Sequence, residues 1–336
     1  MIRWVRALPL VAVLAVAACG GAVCCRRPNS ATAAPTATAA PTGEPTPTAE
    51  SSITATGAAG RAPAASDRKV LVIAEENHAY DEVIGAPQAP YLNGLARTYG
   101  SATHFDAGYP VECPSLAAYL LLTSGSRYGV CDDRAPRAHP LTGDNVFAQV
   151  AAGGRQWRAY AESAPGPCAL DNSADGRYLV RHVPATYYLN VRSDCRRWAV
   201  PLGGPQAGAL HDDIAAGGLP TYAFVTPDAC DDMHGAPACP NDGVAAGDGW
   251  LRTWVPQMLA GPDYRSGRLT IIITWDEGTD ADNHIPTVII SPATRHLTGS
   301  QPYTHCSILR AVETLLGLPL LGCAATATSM TAEFGL

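Results

Sequence analysis

Carboxylate, amide and imidazole side chains follow two apolar stretches that are far apart in the sequence. The stretches are 69–73 and 269–274, and the residues at or shortly after their ends are Glu76, Asn77, Asp276, Glu277 and His284. Such groups are common protein ligands of divalent cations. In an open α/β sheet the carboxyl ends of the strands share one edge, so both groups would converge on one site. The pattern predicts metal-assisted hydrolysis.

The two groups differ in how strongly they indicate a metal. Glu76 and Asn77, taken alone, are better explained as a solvated loop, since Glu and Asn are ordinary loop residues. Asp276 and Glu277 follow the longest apolar strand, where an acidic pair has few structural explanations. For that pair a metal role is favoured over a structural one.

A serine lies at the start of an apolar helical stretch. Ser115 follows Pro114 and precedes the apolar run 116–122. A hydroxyl there is close to the free N–H groups and positive end of a helix, which favour a phosphoryl group beside it. Serine is also a preferred N-cap residue, so a nucleophile and a helix cap are both open interpretations. No Gly-x-Ser-x-Gly elbow of the α/β-hydrolase type surrounds it.

Further candidate ligands and acid–base groups lie between these motifs. Asp232 and His234 follow the apolar stretch 221–226, and the alternative for them is a disulfide-tied polar loop. His182 and His305 are weaker candidates, because single histidines also occur on ordinary surfaces. Arg181 is a candidate phosphate contact, since guanidinium groups match phosphate geometry.

Strand and helix patterns alternate along the chain. Strands are expected at 70–74, 156–161, 221–226, 269–274 and 287–291, and helices at 115–123, 145–152, 207–216, 248–259 and 304–316, with Asp144 as the N-cap of the second helix. The strand patterns are mostly continuous rather than alternating, as in a parallel sheet covered on both faces. We therefore predict an α/β fold, a three-layer α/β/α sandwich with a mostly parallel central sheet.

The N-terminal part has the features of an export device. Residues 1–19 contain two arginines, an apolar run and the sequence Val-Ala-Ala-Cys-Gly, which resembles a bacterial lipobox with Cys19 as the lipidated residue. An ordinary cleaved signal is the alternative. Residues 20–66 are rich in Ala, Pro and Thr and are expected to be a disordered tether. Residues 67–336 have the length of one large domain.

The net charge limits which partners the chain can attract. The formal net charge of −7 argues against nucleic acid or an anionic membrane as an electrostatic partner, so membrane contact is expected only through the lipid anchor.

Eight of the eleven cysteines lie in the domain, which favours disulfides in an oxidising compartment. Eight cysteines allow 105 pairings. Sequential pairing is expected because each pair closes a short loop: 113–131, 168–195, 230–239 and 306–323. Structural zinc is disfavoured, because the domain has no Cys-x-x-Cys.

Taken together and in order, these motifs resemble the phosphoesterase family of bacterial acid phosphatases and non-specific phospholipases C, within the alkaline phosphatase superfamily. The resemblance covers about residues 69–334. It rests on Glu76-Asn77-His78 with Asp81 and Gly85, Pro114-Ser115-Leu116 with Tyr119 and 122–125, Asp232 with His234, Asp276-Glu277-Gly278 with 283–286, and Tyr303-Thr304-His305 with Glu313 and 317–319.

The resemblance implies roles for individual residues. Ser115 would be the nucleophile that forms a phosphoenzyme. Divalent metal would be held near it by Glu76, Asn77, Asp276 and Glu277, and further metal or phosphate-stabilising ligands would be Asp232, His234 and His284. Relatives often have a histidine where this chain has Cys113, and an asparagine where it has Asp231. His182 or His305 would then supply the leaving-group proton.

The resulting hypothesis is an exported, metal-dependent acid phosphatase, either anchored to the bacterial cell membrane by a lipid or secreted. Its substrate would be a phosphorylated small molecule or a phospholipid headgroup, with phosphoinositides included. A phosphodiesterase of phospholipase C type is one alternative, and it would need an apolar groove for acyl chains. A lipoprotein that binds phosphorylated ligands without turnover is the other. Metal identity and oligomeric state stay open at this point.

Overall fold

The computed structural model describes residues 64–240 and 243–336, which lie in one compact unit, Ala59–Leu336. The predicted signal, Cys19 and nearly all of the predicted tether fall outside the described residues, and these assignments stay predictions. In the part that is described, no helix combines the length and apolar character needed to cross a membrane.

Eight strands form one mixed sheet at the centre of the domain. They are β1 (Lys69–Glu75), β2 (Gly100–Ala102), β3 (Trp157–Ala161), β4 (Ala199–Pro201), β5 (Tyr222–Thr226), β6 (Leu269–Trp275), β7 (Thr287–Ile290) and β8 (Leu297–Gly299). Their order across the sheet is β4-β3-β5-β1-β6-β7-β2-β8. Only β7 runs antiparallel to its neighbours, β6 and β2. The predicted α/β class with a mostly parallel sheet is confirmed.

Nine α-helices lie among the strands in the described part of the chain. They are α1 (Tyr80–Val83), α2 (Pro90–Thr98), α3 (Leu116–Ser124), α4 (Val146–Ala152), α5 (Arg192–Trp198), α6 (Ala209–Ala216), α7 (Val244–Ala260), α8 (Pro262–Arg265) and α9 (His305–Leu316). The five predicted helices are present. The predicted cap of α4 is wrong by one residue, because Asn145 rather than Asp144 accepts the N–H of Ala148, at 2.9 Å.

Burial explains why the central strands read as continuous apolar runs. Every residue of β5 and β6 is buried, as are all residues of β1 after Lys69. Successive side chains of a strand point to opposite faces, so both faces of these strands are covered. The helices thus form two layers with the sheet between them, as predicted.

The polar residues follow neighbouring strands at the same edge. In the parallel register of β1 and β6, Glu75 is paired with Trp275. Beyond this pair, the backbone N–H of Asp276 donates to the carbonyl of Glu75 at 3.0 Å, and that of Glu76 donates to the carbonyl of Asp232 at 2.8 Å. The ends of β5, β1 and β6 therefore bring their acidic residues together.

Four disulfides join the predicted cysteine pairs: Cys113–Cys131, Cys168–Cys195, Cys230–Cys239 and Cys306–Cys323. Each closes a local loop, with sequence separations from 9 to 27 residues. The sequential pairing is confirmed.

Candidate active site

The hydroxyl of Ser115 points at the carboxylate of Glu76. Ser115 directly precedes α3 and is only 3% exposed, and its Oγ donates to Oε2 of Glu76 at 3.2 Å. It makes no capping hydrogen bond with its side chain. Asp133 supplies the cap instead, because its Oδ1 accepts the N–H of Leu116 at 3.0 Å. Of the two interpretations of this serine, the structure supports the free, site-directed hydroxyl.

Glu76 is fully buried and receives several hydrogen bonds. Tyr119, one helical turn after Ser115, donates its phenolic O–H to Oε1 of Glu76, and the side-chain amide of Asn77 donates to Oε2 at 3.3 Å. Burial, followed by the nearby charge of Asp232, raises the pKa of Glu76 well above its ordinary value, and the hydrogen bond from Tyr119 opposes that rise. A nearby cation would lower this pKa and keep the carboxylate ionised.

His182 lies between two buried carboxyl groups. Its Nε2 is 3.2 Å from Oε1 of Glu76, and its Nδ1 is 3.5 Å from Oδ2 of Asp232. The ring stacks on Tyr119, with 5.2 Å between the ring centroids. Burial, and then the positive charge of Arg181, lower the pKa of His182 well below its ordinary value. The ring is therefore neutral at ordinary pH, which is the form that binds metals.

Asp276 is also a neighbour of Ser115 and is held by two contacts. Its Oδ1 accepts the backbone N–H of Asn77 at 3.0 Å. The backbone of Asn77 is in the left-handed region, with φ 50°. The backbone carbonyl of Asp276 lies 2.7 Å from Nε2 of the buried His305. Burial, then Glu76 and Glu277, raise the pKa of Asp276 well above its ordinary value, and a hydrogen bond with Ser115 opposes the rise.

Glu277 lies at the rim of this group. It is half-buried, and its Oε2 accepts the phenolic O–H of Tyr109 at 2.8 Å. Burial raises its pKa, while the Tyr109 hydrogen bond opposes the rise. One oxygen of the Glu277 carboxylate is thus held by Tyr109.

The donor set fits a divalent cation. Ligand atoms of Glu76, His182 and Asp232 all lie within 4.8 Å of one another. Among the described residues, Oδ2 of Asp232, Oδ2 of Asp276 and both carboxyl oxygens of Glu75 are buried without a hydrogen-bond partner. Buried carboxylates are costly unless a positive charge or hydrogen bonds compensate them. Divalent metals bind carboxylate oxygen and imidazole nitrogen, and these are the ligand atoms that this cluster of acidic groups offers.

The sequence profile of the Phosphoesterase family matches residues 86–319, which is more than half of the chain. The chain belongs to the Phosphoesterase family. Of the relatives found in sequence comparisons, the phosphatidylinositol-3-phosphatase of Mycobacterium tuberculosis strain H37Rv is 28% identical over 267 residues, covering 79% of this chain and 82% of that protein. An acid phosphatase of Aspergillus fumigatus is 27% identical over 226 residues, and the match spans only 48% of its length.

Comparison with solved structures places this phosphoesterase in the same fold as the alkaline phosphatase superfamily. A member of that superfamily from Vibrio parahaemolyticus superposes with a TM-score of 0.54 at 12% sequence identity, covering 79% of this chain and 71% of the other. At this identity the likeness shows the fold alone.

Two predicted metal ligands, His234 and His284, are not buried among the carboxyl groups around Ser115. His234 is exposed at the rim, where its backbone N–H donates to Oδ1 of Asp232 at 2.9 Å. His284 stacks on Tyr80, with 4.6 Å between ring centroids, and its Nε2 faces the carbonyl of Thr103 at 3.2 Å. The structure does not bring the His284 ring into the carboxylate group, so its metal role remains a prediction without geometric support.

The two predicted proton donors are both buried and neutral. Burial lowers the pKa of His305 to about 4, and its ring contacts the Asp276 carbonyl and lies near Tyr109, with 6.2 Å between ring centroids. His182 contacts Glu76 and Asp232 directly. These positions support an orienting role for His305 and a ligand role for His182 better than proton delivery.

A second acidic group in the phosphoesterase fold has a structural explanation. Ligand atoms of Glu162, Asp228 and Asp231 also lie within 4.8 Å of one another. Arg177 already neutralises this group, because its Nε and Nη2 both lie 2.7 Å from Oδ2 of Asp228. The other oxygen of Asp228 accepts the N–H of Cys230 at 2.9 Å. We therefore assign no metal to it.

Three residues that contact the site were given no role from the sequence, although one of them, Tyr119, is among the marks of the family resemblance. They are Tyr109, Tyr119 and Asp133. Tyr119 was detectable, because residues four apart lie on one face of a helix and it is four residues after Ser115. Asp133 reaches the start of α3 from a separate loop, and no local pattern marks it.

Proposed function

We propose that this chain is an exported, metal-dependent acid phosphatase that hydrolyses phosphate monoesters through a phosphoserine at Ser115. The observation that carries the proposal is the buried Ser115 hydroxyl, which donates to Glu76 among buried carboxyl groups, two of which have an oxygen without a hydrogen-bond partner. The enzyme class, phosphoric monoester hydrolase, follows from the family and from its relatives named as phosphatases.

The chemistry assigns a step to each of the chain's own groups. Oγ of Ser115 attacks phosphorus and forms the O–P bond, while the bond to the alcohol oxygen breaks and that oxygen leaves with a proton taken from solvent water. The Ser115 proton has an acceptor in Oε2 of Glu76, at 3.2 Å. The positive charge of Arg181 lies close enough to Glu76 to oppose the rise of its pKa. The guanidinium of Arg181 can donate hydrogen bonds to the phosphoryl oxygens. Water then hydrolyses the phosphoserine and releases phosphate.

The residues that would hold a divalent cation are Glu76, His182, Asp232, Asp276, Glu277 and the side-chain oxygen of Asn77. When bound, the cation supplies positive charge that stabilises the ionised hydroxyl and the phosphoryl oxygens. His305 would keep the Asp276 segment in place by its contact with that residue's carbonyl. Tyr119 and Tyr109 orient Glu76 and Glu277 by hydrogen bonds.

Phosphoinositides are the substrate class that we propose, by likeness to the mycobacterial relative. The four disulfides agree with export, since disulfides persist in oxidising compartments. Lipidation of Cys19 would hold the domain beside a membrane that contains such lipids. It remains part of the proposal, because Cys19 lies outside the described residues.

Turnover of paired substrates after metal removal tests this proposal. The purified chain would be treated with a chelator and given back Mg²⁺, Ca²⁺, Mn²⁺ or Zn²⁺ in turn. It would then be assayed between acidic and neutral pH on p-nitrophenyl phosphate, bis-p-nitrophenyl phosphate, phosphatidylinositol 3-phosphate and phosphatidylcholine. We expect cation-dependent phosphate release from the two monoesters. Preferred cleavage of the diester or of phosphatidylcholine would identify a phospholipase C-type enzyme, and no turnover would identify a binding protein.

A further inference from the structure

Asp133 contacts two elements that border Ser115. Its Oδ1 accepts the N–H of Leu116 at 3.0 Å, and its Oδ2 lies 3.1 Å from Nε of Arg181. Leu116 is the first residue of α3. One carboxylate therefore links the start of the helix that follows Ser115 to Arg181.

Arg181 lies near several acidic groups of the site besides Asp133. Its charge opposes the raised pKa values of Glu76, Asp232 and Glu277, so it lies within electrostatic reach of all three. Its side chain is only 17% exposed. In the described part of the chain, no guanidinium nitrogen of Arg181 forms a hydrogen bond, and its ion pair is the contact between Nε and Asp133. The two terminal nitrogens of Arg181 thus have no hydrogen-bond acceptor among these residues.

The loop that carries Asp133 is fastened to the loop that carries Ser115. The Cys113–Cys131 disulfide joins positions two residues before Ser115 and two residues before Asp133, with 4.5 Å between the Cα atoms. The crosslink limits how far Asp133 can move relative to the start of α3. Asp133 is therefore held near the start of α3 by the crosslink as well as by its hydrogen bond with Leu116.

We propose that Asp133 is a positioning residue that holds Arg181 with its two terminal nitrogens directed at phosphoryl oxygens bound beside Ser115. Without the Asp133 carboxylate, Arg181 would turn toward the carboxylates of the site, where it would compete with the cation and leave the phosphoryl group. The inference rests on the proposed phosphatase function, because the ligand that Arg181 would receive is the phosphate of that substrate.

The test compares Asp133→Asn, Arg181→Ala and the double variant with the unchanged full chain. Asparagine retains an oxygen that can accept the N–H of Leu116 but loses the charge that holds Arg181, so the helix cap is preserved. Asp132→Asn is the matched control, since Asp132 is the adjacent residue and pairs with Arg134 and His139 at the surface. Thermal unfolding of each variant reports whether the fold is retained.

Two readouts are measured: kcat and KM on p-nitrophenyl phosphate, and calorimetric binding of inorganic phosphate. We expect Asp133→Asn to lower kcat/KM and phosphate affinity on the order of 10- to 100-fold, with Asp132→Asn unchanged. In the Arg181→Ala background, Asp133→Asn should have little further effect, because it acts through that arginine.

Either of two results would overturn the inference. One is unchanged phosphate affinity in Asp133→Asn while Arg181→Ala loses it. The other is that the two substitutions multiply in the double variant, which would show that Asp133 acts independently of Arg181. Phosphate binding is measured without turnover. A chain that binds phosphate in an Asp133-dependent way but hydrolyses nothing would contradict the proposed function and support the positioning role.

Discussion

The hydroxyl of Ser115 is available for chemistry because Asp133 caps α3 in its place. A serine before an apolar helix is ambiguous in sequence, since a cap and a nucleophile occupy the same position. The distinction depends on a carboxylate from another loop, which local propensity does not report. The family motifs predicted Ser115 as a site residue, and its position beside Glu76 became visible only in the three-dimensional structure.

Residues after strand ends were the most predictable part of the site. Glu76, Asp232 and Asp276 were predicted to converge, and all three lie beside Ser115 or His182. His284 was expected among them and instead stacks on Tyr80. Its loop turns through Asn283, which has φ 53°, and the N–H of His284 is held by Asp280 at 3.0 Å. The direction of such a turn is not visible in residue spacing.

At the residue scale, Glu162 should make the free energy of unfolding depend on pH, independently of the site around Ser115. Burial raises its pKa to about 8, from an ordinary 4.5. Between these values the folded state keeps a proton that the unfolded state releases, so the free energy of unfolding falls as pH rises. The slope contributed is at most about 1.4 kcal/mol per pH unit.

Glu162→Gln should remove that decline. Its side-chain oxygen can still accept the N–H of Asp228, which Glu162 accepts at 3.1 Å. Urea unfolding from pH 5 to pH 8 measures the free energy of unfolding for the variant and the unchanged chain. Glu112→Gln serves as the control, because Glu112 is exposed. An identical pH slope with and without Glu162 would show that its pKa is not raised.

At the scale of elements, the long buried strands were predictable and the short ones were not. Strands β1, β5 and β6 carry continuous apolar runs, which parallel strands covered on both faces require. Strands β2, β4 and β8 have three residues each, too few to show a period. Their positions depend on pairing with the longer strands.

The disulfides provide a test of which loops position the site. Replacing Cys113 and Cys131 by alanine should destabilise the domain by about 3 kcal/mol, and replacing Cys168 and Cys195 by about 3.5 kcal/mol, because the second loop is longer. Only the first pair joins the Ser115 and Asp133 loops. We therefore expect the variant without Cys113–Cys131 to lose more kcat/KM than the variant without Cys168–Cys195, although it is the less destabilised of the two.

The measurements are urea unfolding and steady-state hydrolysis of p-nitrophenyl phosphate at a temperature where both variants are folded. Equal losses of kcat/KM in the two variants, or a larger loss without Cys168–Cys195, would mean that the Cys113–Cys131 crosslink has no special role in the site.

At the scale of the whole molecule, negative charge is concentrated where the sheet ends. The chain has a net charge of −7, and Glu75, Glu76, Asp232 and Asp276 are fully or almost fully buried at one edge. Such a surplus opposes folding unless a cation compensates it. A cation that binds only the folded state should therefore stabilise the domain as well as support turnover.

Adding a divalent cation to the chelated chain should raise its thermal unfolding midpoint. The gain is about 2.7 kcal/mol when the cation is at 100 times its Kd. Asp276→Asn should reduce this stabilisation. Asp282→Asn should leave it intact, because Asp282 is an exposed residue of the same loop. An equal cation effect in both variants would place the bound cation elsewhere.

The most direct test of the account is detection of the phosphorylated enzyme. The chain would be mixed with a phosphate monoester and its cation, quenched in acid within milliseconds to seconds, and analysed by intact and peptide mass spectrometry. We predict one phosphoryl group on Ser115, absent from Ser115→Ala and present in Ser101→Ala, which removes another buried serine hydroxyl away from the carboxylates. Full hydrolysis by Ser115→Ala, or a phosphoryl group on a different residue, would contradict it.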